Sequence, residues 1–216
     1  MKDREAQLER ARLMREMELL DGGAKMGLFL EAVVLARQEV PAAKELLKRF
    51  EKRSQEDECA LIAQECMCFA RERGTFILLN EDCAEGEAFA RFASQEDGDA
   101  VLYLHIHDEA LWMYRLFCCG VEKDRFCPIP DYWEDGMERE EYDSWSGDAE
   151  KLERYIGGFH AGEVERYLTL WTDEMFEGRQ ARKAYAGDEY GYADCWQMAD
   201  FLRRIGYPYP GEDELG

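Results

Sequence analysis

Between Asp99 and Pro130 the chain reads DAVLYLHIHDEALWMYRLFCCGVEKDRFCPIP, and no other stretch narrows the possible folds as far. Its two-residue apolar periodicity, broken at Asp108-Glu109 and Cys119-Gly120, predicts three consecutive antiparallel strands. A two-residue turn at Asp108-Glu109 would pair His105 with Trp112 and Tyr103 with Tyr114. Cys119-Gly120, where glycine can take positive φ, would pair Met113 with Phe126, Arg115 with Asp124, Tyr114 with Arg125 and Trp112 with Cys127. Side chains alternate across a sheet, so these pairings sort the residues onto two faces. Leu102, Leu104, Ile106, Leu111, Met113, Phe117 and Phe126 make a core face, with Arg115 and Asp124 as a charge pair. Tyr103, His105, His107, Trp112, Tyr114, Arg125 and Cys127 make the other face, which either helices or a ligand must cover.

The flanking segments supply helices and one more strand. Thr75 to Asn80, TFILLN, is a short apolar run that predicts a buried strand. A short helix striped by Ala88, Phe89 and Phe92 should follow, and a right-handed crossover would set Thr75 to Asn80 parallel to Val101 to His107. Upstream, residues 3 to 20 alternate charge around Leu13, Met17 and Leu20, which predicts a helix. Met26, Phe29, Leu30, Val33 and Val34 match the helical template across Lys25 to Gln38. Pro41 opens a helix striped by Ala43, Leu46, Leu47 and Phe50. Ser54 and Asp57 then resemble a capping box for a fourth, carrying Cys59, Ile62, Ala63, Cys66, Phe69 and Ala70. Downstream, Asp148 starts a short helix with Leu152, Tyr155 and Ile156. Val164, Tyr167, Leu168 and Trp171 share one stripe, and Cys195, Met198, Phe201, Leu202 and Ile205 share another.

The expected fold is therefore a single α+β domain. Antiparallel helices fill residues 1–73, and a mostly antiparallel sheet of about four strands with one helix fills 74–130. An acidic, tryptophan-containing loop spans 131–147, helices span 148–206, and 207–216 form a mobile tail.

Charge and cysteine usage narrow the functions. With 48 acidic against 27 basic residues the net charge is -21, a field that repels nucleic acids and anionic membranes and favours a partner with a basic surface. The first 20 residues lack a basic region followed by an apolar run, and no window approaches a membrane span, so a cytoplasmic protein is expected. The eight cysteines should then be reduced thiols. Cys66-x-Cys68 and Cys118-Cys119 do not match the paired knuckles of structural zinc. The basic cluster GRQARK at 178–183 is expected to pair with local carboxylates.

Two of the three histidines, His105 and His107, project from one side of one strand, the spacing at which two imidazoles can share a divalent metal. Cys127 is the candidate third ligand on that face, with Glu109 and His160 as others. The opposing expectation is two packed histidines and no cofactor. P-loop, Rossmann and α/β-hydrolase signatures are all absent. Two functions follow. The first is a non-enzymatic acidic interaction module, an adaptor or an inhibitor such as a toxin-neutralising immunity protein. It would bind a basic protein through Asp131, Tyr132, Trp133, Glu134, Asp135 and Trp145. The second is a small-molecule or metal-binding protein, or an enzyme, using Tyr103, His105, His107, Trp112, Tyr114 and Arg125.

Overall fold

The computed structural model describes residues 27–53, 60–81, 83–133, 136–177 and 182–215. The helix expected over residues 3 to 20, the capping pair Ser54 and Asp57, Cys59, and the loop residues Glu134 and Asp135 lie outside them. The strands are β1 (Leu30–Ala36), β2 (Met67–Arg71), β3 (Gly74–Leu78), β4 (Ala100–His107), β5 (Leu111–Cys118) and β6 (Val121–Phe126). They form one antiparallel sheet in the order β2-β3-β1-β4-β5-β6. The α-helices are α1 (Val40–Glu51), α2 (Gly86–Asp97), α3 (Arg139–Asp143), α4 (Ala149–Tyr155), α5 (Asp173–Glu177), α6 (Gln197–Arg204) and α7 (Glu212–Leu215). The mixed α+β class is as expected, but among the described residues the sheet has six strands where about four were expected.

One extra strand is β1, LEAVVLA, which lies where the helical template fitted Lys25 to Gln38. It sits at the sheet centre, and six of its seven residues are buried. A strand covered on both faces reads as a continuous apolar run, and such a run matches a helical stripe by accident. Its paired β-branched residues, Val33 and Val34, favour the extended form. The other extra strand is β2, where Phe69 and Ala70 had been assigned to a helix; a tight turn at Glu72-Arg73 hairpins it to β3. Insertion of β1 also removes the expected parallel pairing, because β3 and β4 each pair antiparallel to β1 and not with one another.

Helices cover both faces of the sheet. On one face α1 buries Ala43, Leu46, Leu47 and Phe50, the expected stripe, and joins α2 over Val33, Leu35, Ile77, Val101, Tyr103 and Phe117. On the other face Leu152, Ile156, Val164, Tyr167, Met198, Phe201 and Leu202 pack against Ala32, Val34, Leu102, Leu104, Ile106, Trp112, Tyr114 and Phe126. The Asp148 carboxylate caps α4 by accepting from the Glu150 and Lys151 amides, which accounts for the helix starting there. The stripe from Val164 to Trp171 folds instead as one 3-10 turn, Glu165–Tyr167, followed by irregular chain, with a second 3-10 turn, Ala161–Glu163, just before it. The tail, expected to be mobile, is held against the sheet: Tyr207 is buried and donates its hydroxyl to the Arg73 carbonyl, and Arg71 pairs with Glu214 at 2.9 Å. No helix among the described residues is long and apolar enough to cross a membrane.

Candidate functional site

Register decides which residues meet at the site. The β4–β5 connection uses three residues, Asp108, Glu109 and Ala110, with φ of 52° and 54° at the first two. Consequently His107 pairs with Leu111, His105 with Met113, Tyr103 with Arg115 and Ile106 with Trp112. The expected two-residue turn is therefore one residue too short, and a slip of one residue moves every side chain of β5 to the opposite face. The Cys119-Gly120 turn forms as expected, joining Cys118 to Val121, but a bulge at Leu116/Phe117 then shifts the register by one. Beyond it Leu116 pairs with Asp124, Arg115 with Arg125 and Tyr114 with Phe126.

Trp112 and Tyr114 are thus removed from the histidine face, and Cys127, which lies beyond the end of β6, joins them in the other core. Trp112 and Tyr114 are fully buried beneath Phe201; the Trp112 indole donates to Gln197 Oε1 at 3.3 Å, and the Tyr114 hydroxyl donates to the buried Asp124 at 2.6 Å. Cys127 is buried with them, its thiol donates to the Ile129 carbonyl, and burial pushes its pKa up to about 12. It cannot serve as the third ligand beside His105 and His107. Among the described residues no group of three His, Cys, Asp or Glu side chains is placed to hold a metal ion. His160 lies in the other helical layer, beside an open hollow of ≈ 400 Å³, with its Nδ1 3.4 Å from Glu153.

Tyr103, His105 and His107 do share a face, and a residue from β1 completes their set. Glu31 lies opposite His105 across the β1–β4 ladder. Its carboxylate is 12% exposed; it accepts the Tyr103 hydroxyl at 2.8 Å on Oε1 and the Gly86 amide at 3.0 Å on Oε2. The Cys83 thiol also bonds to it. Burial raises the Glu31 pKa, and these donors partly offset the rise. Gly86 opens α2, and a Cβ there would collide with the Glu31 carboxylate and the Tyr103 ring, so only glycine lets the helix amide approach.

From Glu31 a line of polar contacts runs outward. His105 Nδ1 is 3.6 Å from Glu31 Oε1, an electrostatic contact longer than a hydrogen bond, and it has no hydrogen-bond partner. His105 Nε2 is 3.3 Å from His107 Nδ1, and the Trp133 indole nitrogen is 3.2 Å from His107 Nε2. An indole N–H only donates, so His107 Nε2 must be unprotonated. The neutral ring then carries its proton on Nδ1 and donates it to His105 Nε2, which leaves the His105 proton on Nδ1, facing the carboxylate. Burial, with His107 adding to it, pushes His105 down to about 4, consistent with a neutral ring. The arrangement is a single-direction relay from Trp133 through His107 and His105 to Glu31.

The outer end of the relay is aromatic. Phe29 and Trp133 each lie 5.0 Å from the His107 ring, on edge, and Tyr132 lies 5.7 Å from it. Phe29 and Trp133 are 52% and 51% exposed, so the two most exposed large aromatics among the described residues meet over one histidine. Of the other expected contact residues, Asp131 is half-buried beside Tyr132. Trp145 is buried and stacks under Arg115 and Arg125, which lie 5.0 and 4.5 Å from its ring. Arg125 thus shares the sheet face of Tyr103 but belongs to a separate cluster. Sequence reasoning missed Glu31, Phe29, Cys83 and Gly86. One signal was available, since Glu31 is the only charge within LEAVVLA.

No family model, curated protein sequence or solved structure matches this chain.

Proposed function

We propose that this chain is a non-enzymatic, acidic protein-interaction module of the cytoplasm, an adaptor or inhibitor of the immunity-protein kind, that docks a partner with a basic surface. The observation that carries this reading is the pairing of half-exposed Phe29 and Trp133 over His107 in a chain of net charge -21. Large aromatics that can be desolvated at the centre of an interface supply most of its affinity. The acidic surround steers a basic partner and rejects acidic ones. The relay beneath gives His107 a fixed ring orientation, so the anchor is preorganised. Affinity capture at low and at high salt tests the proposal. A basic protein recovered by the wild type at low salt, and lost with Trp133→Ala or Phe29→Ala, is the expected result. Recovery that ignores both salt and these substitutions counts against it.

The second reading is a small-molecule or metal-binding protein, or an enzyme, centred on Tyr103, His105 and His107. It is favoured by one observation, the directional relay from Trp133 through His107 and His105 to Glu31. A stoichiometric metal that disappears in a His105→Ala, His107→Ala double variant supports it over the first reading.

A further inference from the structure

Cys118 and Cys119 stand at the tip of the β5–β6 hairpin, remote in chemistry from the histidine face. Neighbouring residues in a strand point to opposite sides, but Cys119 adopts φ 55° and Gly120 φ 74°, which turns the second thiol back beside the first. Their Sγ atoms are 3.9 Å apart. Both thiols donate to one acceptor, the Gly98 carbonyl, at 3.4 Å from Cys118 and 3.6 Å from Cys119. That carbonyl belongs to the left-handed residue that ends α2. The hairpin tip is tied to the same helix end, because the Gly120 amide donates to Ser94 Oγ at 3.0 Å and the Gly98 amide to the Ser94 carbonyl at 3.1 Å.

Two sulfurs and one oxygen therefore form a triangle with edges of 3.9, 3.6 and 3.4 Å. Thiolates about 2.3 Å from one tetrahedral ion lie roughly 3.8 Å apart, and a thiolate and an oxygen on the same ion lie roughly 3.6 Å apart. We propose that Cys118 Sγ, Cys119 Sγ and the Gly98 carbonyl form one face of a binding site for a thiophilic divalent cation of the zinc and cadmium class. Binding takes one cation and two thiols to a dithiolate complex and two released protons, with no change of oxidation state. The fourth position faces outward and is open to water or an external thiol. Among the described cysteines Cys119 is exposed and Cys118 half-exposed, as is Cys68, whereas Cys66, Cys83, Cys127 and Cys195 are buried.

Titration of the reduced full chain with Cd²⁺ tests the site. Thiolate-to-cadmium absorption in the ultraviolet should rise and saturate at one equivalent, and bound Cd²⁺ should protect Cys118 and Cys119 from alkylation, read by mass spectrometry. Cys118→Ser and Cys119→Ser should each remove the absorption while circular dichroism is unchanged, since a serine hydroxyl can still donate to Gly98. Cys68→Ser should leave it intact. Absorption that persists in both hairpin variants, protection that maps to other cysteines, or no saturable absorption in the wild type would each overturn the proposal.

Discussion

The Tyr103 hydroxyl donates to Glu31 Oε1 at 2.8 Å across the β1–β4 pair, and this bond keeps a carboxylate at the edge of the sheet core. Burial alone raises the pKa of Glu31, so its anionic form depends on donors that stay in place.

Removing one donor should therefore be costly. Tyr103→Phe takes away a hydrogen bond to a charged group and is expected to destabilise the fold by about 1.5–3 kcal/mol. Gly86→Ala, which drives a methyl into the carboxylate and the tyrosine ring, should cost at least as much. Urea denaturation measures both. A loss below about 0.5 kcal/mol for each would show that Glu31 is not held this way.

Acid should weaken the fold through His105. Unfolded, this side chain titrates near its ordinary 6.5; folded, it titrates near 4. Between those values the unfolded state binds the extra proton, so stability falls as pH drops from about 6.5 towards 4, by roughly 3 kcal/mol in all. Glu31, shifted upward, works in the opposite sense and gains on acidification. Comparing wild type with His105→Asn from pH 4 to 8 isolates the histidine, and the variant should lack that part of the slope. Equal slopes would refute a buried neutral ring.

The relay makes a statement about tautomers. At pH 7 both His105 and His107 should carry their protons on Nδ1, the form that the Trp133 donor imposes, and ¹⁵N imidazole shifts report this directly. Trp133→Phe keeps an aromatic ring over His107 but removes the donor, and should change the His107 Nε2 shift. An Nε2-protonated His107 in the wild type would break the proposed direction.

Trp112 separates a packing role from a ligand role. It is fully buried between Phe126 and Phe201, 5.1 Å from each ring, and so Trp112→Ala should cost about 3–5 kcal/mol of stability. Thermal unfolding shows this loss as a large drop in midpoint. A variant as stable as wild type would mean that Trp112 faces an open site.

How much was legible in the sequence varies from residue to residue. The stripe of α1 and the cap at Asp148 were readable because each rests on neighbours along the chain, a 3.6-residue spacing or a carboxylate beside free amides. The three strands from β4 to β6 were readable from a two-residue period. What period cannot give is the length of a turn or the presence of a bulge. One residue in the β4–β5 turn sent Trp112 and Tyr114 to the far side of the sheet, while one bulge kept Arg125 on the near side and Cys127 fell beyond the end of β6. The central strand β1 was hidden for a different reason, since coverage on both faces erases the alternation that marks a strand.

By itself the sequence determined the α+β class, the charge of the surface and the placing of His105 beside His107 on one side of a strand, since these follow from composition and short-range geometry. Only the tertiary structure decided what the histidines face. Glu31 reaches them because β1 inserts between β3 and β4, and Phe29 and Trp133 reach His107 from segments about a hundred residues apart, by a pairing no local periodicity encodes.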